Sequence, residues 1–351
     1  MTKPSAFSLS LVLSLSLVAC GGGGGGEAVV PATVLPTVTL PIPASSYLAG
    51  SAELAAYTVL QQARALCDFG VLRQDTRLDA ASLNHARHLT SVSFASGTHV
   101  LAHYEDVASD PYYTGYYPWD RTKYTGYGDQ VAEILLGTWW DYDISYPDLV
   151  IPTLEQRGTE SMRSLLNTVY HLSGAMFEGA DVGFGVHIQT VWTSATGRRE
   201  EYRFGSLNGY ETATFALGAG QVATYPCQGS SNIPTEFEPD SESPNPFKDS
   251  VYVSAVVGPP IYLKVDQGQV LTVSSTSKII SQNGYQVPFS VLTSANDPNI
   301  DPISGKPYIG LNEVFVIPTV PLNPYTTYQV TLYGTVDKVA FTRIFDMSTG
   351  S

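Results

Sequence analysis

Positive charge is in short supply in this chain. Lys and Arg number 18 against 32 Asp and Glu, which leaves a formal net charge of −14 over 351 residues. That balance disfavours nucleic acid or an anionic membrane surface as a partner, since both would repel it. Histidine is scarce too, at six, and cysteine scarcer, at three. Imidazole chemistry therefore has few places to sit.

Hydrophobic residues, by contrast, make up 43% of the chain, enough for two cores. The first twenty residues, MTKPSAFSLSLVLSLSLVAC, carry one cation at Lys3 and an apolar stretch from Ala6 to Val18. They read as a secretory signal and not as a membrane span. Leu17-Val18-Ala19-Cys20 resembles the lipobox of bacterial lipoproteins, which implies cleavage before Cys20 and lipidation of that residue. Membrane attachment would then come through lipid alone, held by more than one acyl chain. Gly21 stands where an Asp would resemble an inner-membrane retention signal, which favours the outer membrane or cell surface if the organism has two membranes. Residues 21–46 are Gly-rich and then Pro-rich and read as a tether. In an exported chain Cys67 and Cys227 are an even pair in an oxidising compartment, so a disulfide is expected, with two buried thiols as the alternative.

From Ser51 to Leu66 apolar residues recur at three- and four-residue steps, which predicts a helix with one buried face. A second is expected from Asp79 to Leu89, with Asp79 as N-cap. On it His85 and His88 stand three apart, a spacing open to a metal, although a packed or solvated face is the commoner use. Residues 110–128, DPYYTGYYPWDRTKYTGYG, read as an extended loop. A third helix is expected from Thr159, as N-cap, to Tyr170. VGFGVHIQTVWT (182–193) and EYRFGSL (201–207) flank a turn and predict a β-hairpin. Helices followed by a hairpin point to an α+β fold.

Composition shifts near Gln228, and residues 228–247 are polar, acidic and Pro-rich, a linker between a first domain at 47–227 and a second at 248–351. In the second, VYVSAVV, IYLKV, QVLTV, VPFSVL, EVFVI and TYQVTLYG alternate at two-residue spacing, the rhythm of an all-β sandwich. Residues 322–330, LNPYTTYQV, resemble the strand entry of fibronectin type III and immunoglobulin-like domains, which implies that Tyr328 is a structural corner tyrosine. Oxygen-bearing side chains at Asn296, Asp297, Asn299 and Asp301 suit either calcium or a plain acidic turn.

The first domain carries several ordered pieces: CDFGVLRQDTRLD (67–79), ASLNHARHL (81–89), AHYED (102–106), Arg121 with Gly126-Tyr127, VAEIL (131–135), LLNTVYHLSG (165–174) and VGFGV (182–186). Together they resemble the CAP superfamily of cysteine-rich secretory, antigen 5 and pathogenesis-related proteins, in its shorter bacterial form. The resemblance implies an α-β-α sandwich with a cleft that receives two histidines and two carboxylates. The matching residues are His103, Glu133 and His171. Ala132 and Ile134 stand where the family has Gly and Asn. The family's other glutamate has no clear match: it would fall near Thr168, and Glu155 and Glu160 lie at or before the start of that helix. Glu105 could substitute in space.

Two imidazoles and a carboxylate can hold Zn²⁺ or another divalent cation with a position left for water, whose pKa the metal would lower. A carboxylate can equally orient a histidine with no metal present. No positioned nucleophile is visible; Ser161 and Ser173 are near in sequence only. The tyrosines of 112–127, with Trp119, could stack on sugar rings, line a lipid groove or cap a core. Three functions stay open: binding of a lipid, glycan or cell-wall component in the cleft, metal-assisted hydrolysis of peptide or cell-wall material, and a structural adhesion module with an inert cleft.

Overall fold

The computed structural model describes residues 41–351 apart from positions 147 and 213; the signal segment, Cys20 and most of the expected tether lie outside the described residues. Secondary structure is mixed α+β. Helix α1, Ala52–Leu66, starts where expected, with the Ser51 hydroxyl accepting the Leu54 N–H at 3.1 Å. A two-residue strand β1, Arg73–Gln74, leads into α2, Thr76–Ser96. That helix is longer than expected and its N-cap is Asp75, not Asp79. Asp79 turns inward instead, where it accepts the Phe184 N–H at 2.9 Å and the Tyr47 hydroxyl at 2.5 Å. A buried carboxylate is more useful there than at a helix end already satisfied by Asp75.

The segment read as an extended loop contains a short helix α3, Pro118–Tyr124, begun by proline at its first position. Strand β2 spans Val131–Asp143, and then come α4, Leu154–Leu165, and α5, Tyr170–Ala175. The single helix expected over 159–170 is thus two. Thr153 and Gln156 form a capping box that starts α4 six residues before Thr159. The expected hairpin is present as β3, Asp181–Thr193, and β4, Gly197–Gly209.

Strand order in this sheet is β1-β3-β4-β2, with β1 parallel to β3 and the other pairs antiparallel. The alternation in VGFGV decides what lies on each face. A Cβ on Gly183 or Gly185 would come within 2.2 Å and 2.1 Å of the α2 backbone, so only glycine admits that helix so close. Phe184 points the other way, onto Tyr47 and the α1 residue Tyr57, with ring centroids 6.0 and 6.5 Å away. Helices therefore cover both faces of the sheet.

The rest of the chain forms β5, Ala223–Tyr225, β6, Ile261–Lys264, β7, Leu271–Val273, β8, Lys278–Ser281, β9, Phe289–Thr293, β10, Glu313–Pro318, β11, Thr327–Val336, and β12, Val339–Ser348. Two sheets result, β5-β6-β10-β9 and β12-β11-β7 with β8 also on β11. Ile261, Leu263, Val314 and Val316 of the first meet Val330, Leu332, Phe345 and Met347 of the second in one core. VYVSAVV, expected as a strand, forms turns: Val251 is exposed and only Val257 finds a pairing partner, Phe237. Tyr328 is buried, and its hydroxyl accepts the Asn323 N–H at 2.8 Å, which fixes the corner before β11.

The two halves share a second core. Strands β6 and β10 are buried along their whole length because their other face, with Tyr262, Phe315 and Ile317, packs on the first half. Tyr262 stacks on Phe69 at 5.8 Å. Residues 228–247, expected as a linker, run in contact with this core, burying Ile233, Phe237, Glu242 and Phe247. The Cys67–Cys227 disulfide is formed and ties the end of α1 to the chain just past β5. Asp297 and Asp301 spend their oxygens on turn N–H groups and on the Tyr170 hydroxyl, the acidic-turn alternative.

Candidate functional site

Two fully buried carboxylates anchor the region around LAHYED. Glu105 accepts from the Thr114 N–H at 2.8 Å and lies 3.0 Å from His85 Nδ1. Glu133, on β2, accepts Arg121 Nη2 at 2.6 Å through one oxygen and faces His103 Nδ1 at 3.0 Å through the other. Arg121, from α3, has no exposed surface and also donates to the carbonyls of His103 and Tyr116. One guanidinium thus fixes the loop, the strand and their charges together. Burial alone would raise the Glu133 carboxyl, but the Arg121 guanidinium together with the imidazoles of His85 and His103 outweighs it and holds Glu133 well below the usual carboxylate range.

The two α2 histidines face this loop and do not form a metal pair. His85 sits between Glu105 and the Ala102 carbonyl, and burial pushes it below the usual imidazole range against the pull of Glu133. His88 meets Asp110 at 3.3 Å. His187 contacts Thr90 at 2.7 Å, and His99 accepts from Arg203 while burial lowers it to about 4. All four rings are engaged with polar groups of the protein, and none of them lines the cleft described next.

His103 and His171 do come together: both line one cleft of about 650 Å³, between the loop at 101–104, the middle of β2 and helix α4. The carboxylate behind His171 is not Glu105. It is Glu242, from the acidic segment between the halves, which accepts the N–H groups of Val169, Tyr170 and His171 at 2.7 to 3.1 Å and lies 3.1 Å from His171 Nδ1. Thr168, the position where the second glutamate was sought, donates its hydroxyl to the Leu165 carbonyl and lies 3.1 Å from the same Nδ1. Nothing local in the sequence marks Glu242, because a lone acid in an acidic, Pro-rich stretch has no periodic signature.

Each cleft histidine is thus backed by a buried carboxylate at Nδ1. At His103 a hydrogen bond from Nδ1 to Glu133 leaves Nε2 as the nitrogen without a protein partner, whereas at His171 the Nδ1 hydrogen-bonding partner is the Thr168 hydroxyl, with Glu242 at ion-pair distance. Glu133 itself is engaged on both oxygens, by Arg121 and by His103. Among the described residues no group of three or more His, Cys, Asp or Glu side chains is placed to hold a metal ion. Ser161 bonds the Tyr202 hydroxyl and Ser173 bonds Glu313, and neither is paired with an imidazole.

No family model matches the chain, and no curated protein matches it in sequence.

Proposed function

We propose that this protein is a cell-envelope lipoprotein whose first half is a CAP-like ligand-binding domain and whose second is an immunoglobulin-like module. The observation that carries the reading is the pair of carboxylate-backed imidazoles lining one cleft. The layering of helices on both faces of the β1-β3-β4-β2 sheet supports the CAP resemblance, and the Tyr328 corner supports the second. Attachment through lipidated Cys20, at the outer membrane or cell surface, rests on the lipobox resemblance; no described helix is long and apolar enough to cross a membrane. Two imidazoles fall short of the three protein ligands of a catalytic zinc site, so we derive no metal-assisted step.

His103→Ala leaves Glu133 on Arg121, and His171→Ala leaves Glu242 on three backbone N–H groups, so both variants keep their fold. Soluble muropeptide, an oligosaccharide mixture, a fatty acid and Zn²⁺ serve as probes in calorimetric titrations. At least one is expected to bind wild type and to weaken about tenfold or more in each variant, the loss of one buried hydrogen bond. If both variants bind every probe as wild type does, the cleft is not the site.

A further inference from the structure

The cleft's lining is rich in hydroxyls and carries one acid, Glu160. Its one guanidinium, Arg157, is paired with Glu200 at 2.9 Å and lies over the Trp140 ring at 4.3 Å. Ser161, Ser164, Thr168, Ser241 and Ser243 line the same space. Tyr104 from the first half and Tyr308 from the second line it too.

From Tyr104 an aromatic strip leads away from the cleft. Tyr104 stacks on Tyr116, with centroids 5.3 Å apart and planes 8° apart. Tyr116 meets Tyr117 edge-on at 4.6 Å, and Tyr117 stacks on Trp119 at 4.6 Å. None of these four rings joins a hydrophobic core among the described residues, whereas Tyr127 of the same segment does. Tyr116 is 41% exposed. The strip is also held in place from below: the Tyr116 carbonyl accepts from the Glu105 N–H and from the buried Arg121. Rings that pack no core, stay partly wet and are fixed by a buried ion cluster are preorganised for a partner.

We propose that the cleft ligand is a neutral oligosaccharide, which lays sugar faces on the Tyr104–Tyr116 strip and hydrogen-bonds its hydroxyls to the serine-rich wall. The proposal rests on the reading of the cleft as a ligand site and names its ligand class. Sugars suit it because they pair an apolar C–H face with many hydroxyls, matching aromatic rings beside Ser and Thr. Polyanionic glycans are disfavoured by the net charge of −14 and by the absence of an unpaired guanidinium in the cleft lining. Ser161, Thr168 and Ser241 already donate within the protein, so it is Ser164 and Ser243 whose hydroxyls an acyl chain would leave without partners.

The test uses the soluble mature protein on a printed array of neutral oligosaccharides, with the captured sugar then titrated in solution. Wild type is expected to bind, Tyr104→Ala and Tyr116→Ala each to weaken it about tenfold, and Tyr104→Phe and Tyr116→Phe to retain most of it, as stacking requires. If no neutral sugar is captured, or if the alanine variants bind as wild type does, the proposal fails. Fatty-acid binding that is lost in His103→Ala, with no sugar bound, would overturn the ligand class and leave the cleft reading standing. Loss of neither would count against both.

Discussion

Replacing Arg121 by Met is expected to destabilise the protein by about 3–5 kcal/mol, the usual consequence of leaving buried charges without their partner. Glu105 and Glu133 are both without exposed surface to speak of, and Arg121 is the guanidinium that faces them at 3.8 and 2.6 Å. Methionine fills the volume and supplies no charge. The pH dependence has a definite sign. Glu133 titrates lower in the folded than in the unfolded chain, so it contributes stability above the ordinary carboxylate range that is lost as pH falls through and below it. In Arg121→Met that contribution shrinks, and the variant gains less stability than wild type between about pH 3 and pH 6. Urea denaturation across that range reads both effects. A loss under about 1 kcal/mol at neutral pH would mean that the cluster is solvated and that Arg121 does not organise it.

Removing the disulfide by Cys67→Ser with Cys227→Ser is expected to cost about 3–5 kcal/mol. The bridge closes a loop of 160 residues, near the upper end of what chain entropy delivers. Its position adds to the effect, because it ties the α1 end of one half to the segment that enters the other. Both sulfurs are buried, and the Ser230 hydroxyl lies within 3.7 Å of them, so the serine variants still find a polar neighbour. Thermal denaturation of wild type with and without reductant, beside the double variant, reads the difference. An unchanged transition would show that the shared core alone holds the halves.

Local pattern carried much of the fold and little of the site. Ser51 and the three- and four-residue apolar steps place α1, and the glycine alternation in VGFGV places both a hairpin and the faces of its sheet. Capping boxes were legible as well, since Thr153 and Gln156 have the required spacing, yet Thr159 offered a competing start. VYVSAVV shows the limit of alternation: without a partner strand, an alternating run exposes its valines and turns. His103, Glu133 and His171 come from family resemblance, and the structure brings both histidines to one cleft. What no local pattern could supply is which acid serves which imidazole. Glu105 is two residues from His103 and goes to His85; Glu242 is 71 residues from His171 and goes to it. Burial of an acid is decided by tertiary contacts and by the donors waiting there, and neither leaves a period in the sequence.

The central claim is that the groups at Nδ1, Glu133 for His103 and Thr168 with Glu242 for His171, turn two imidazoles so that both present Nε2 to one cleft. Long-range ¹H–¹⁵N spectra of histidine-labelled protein near pH 8 report the tautomer of each ring directly, with His103→Ala and His171→Ala as assignments. The account predicts Nδ1–H tautomers at both His103 and His171, and loss of that preference at His171 alone in Glu242→Ala. A majority of Nε2–H tautomer at either ring in the wild-type protein, or a His171 spectrum indifferent to Glu242, would contradict it.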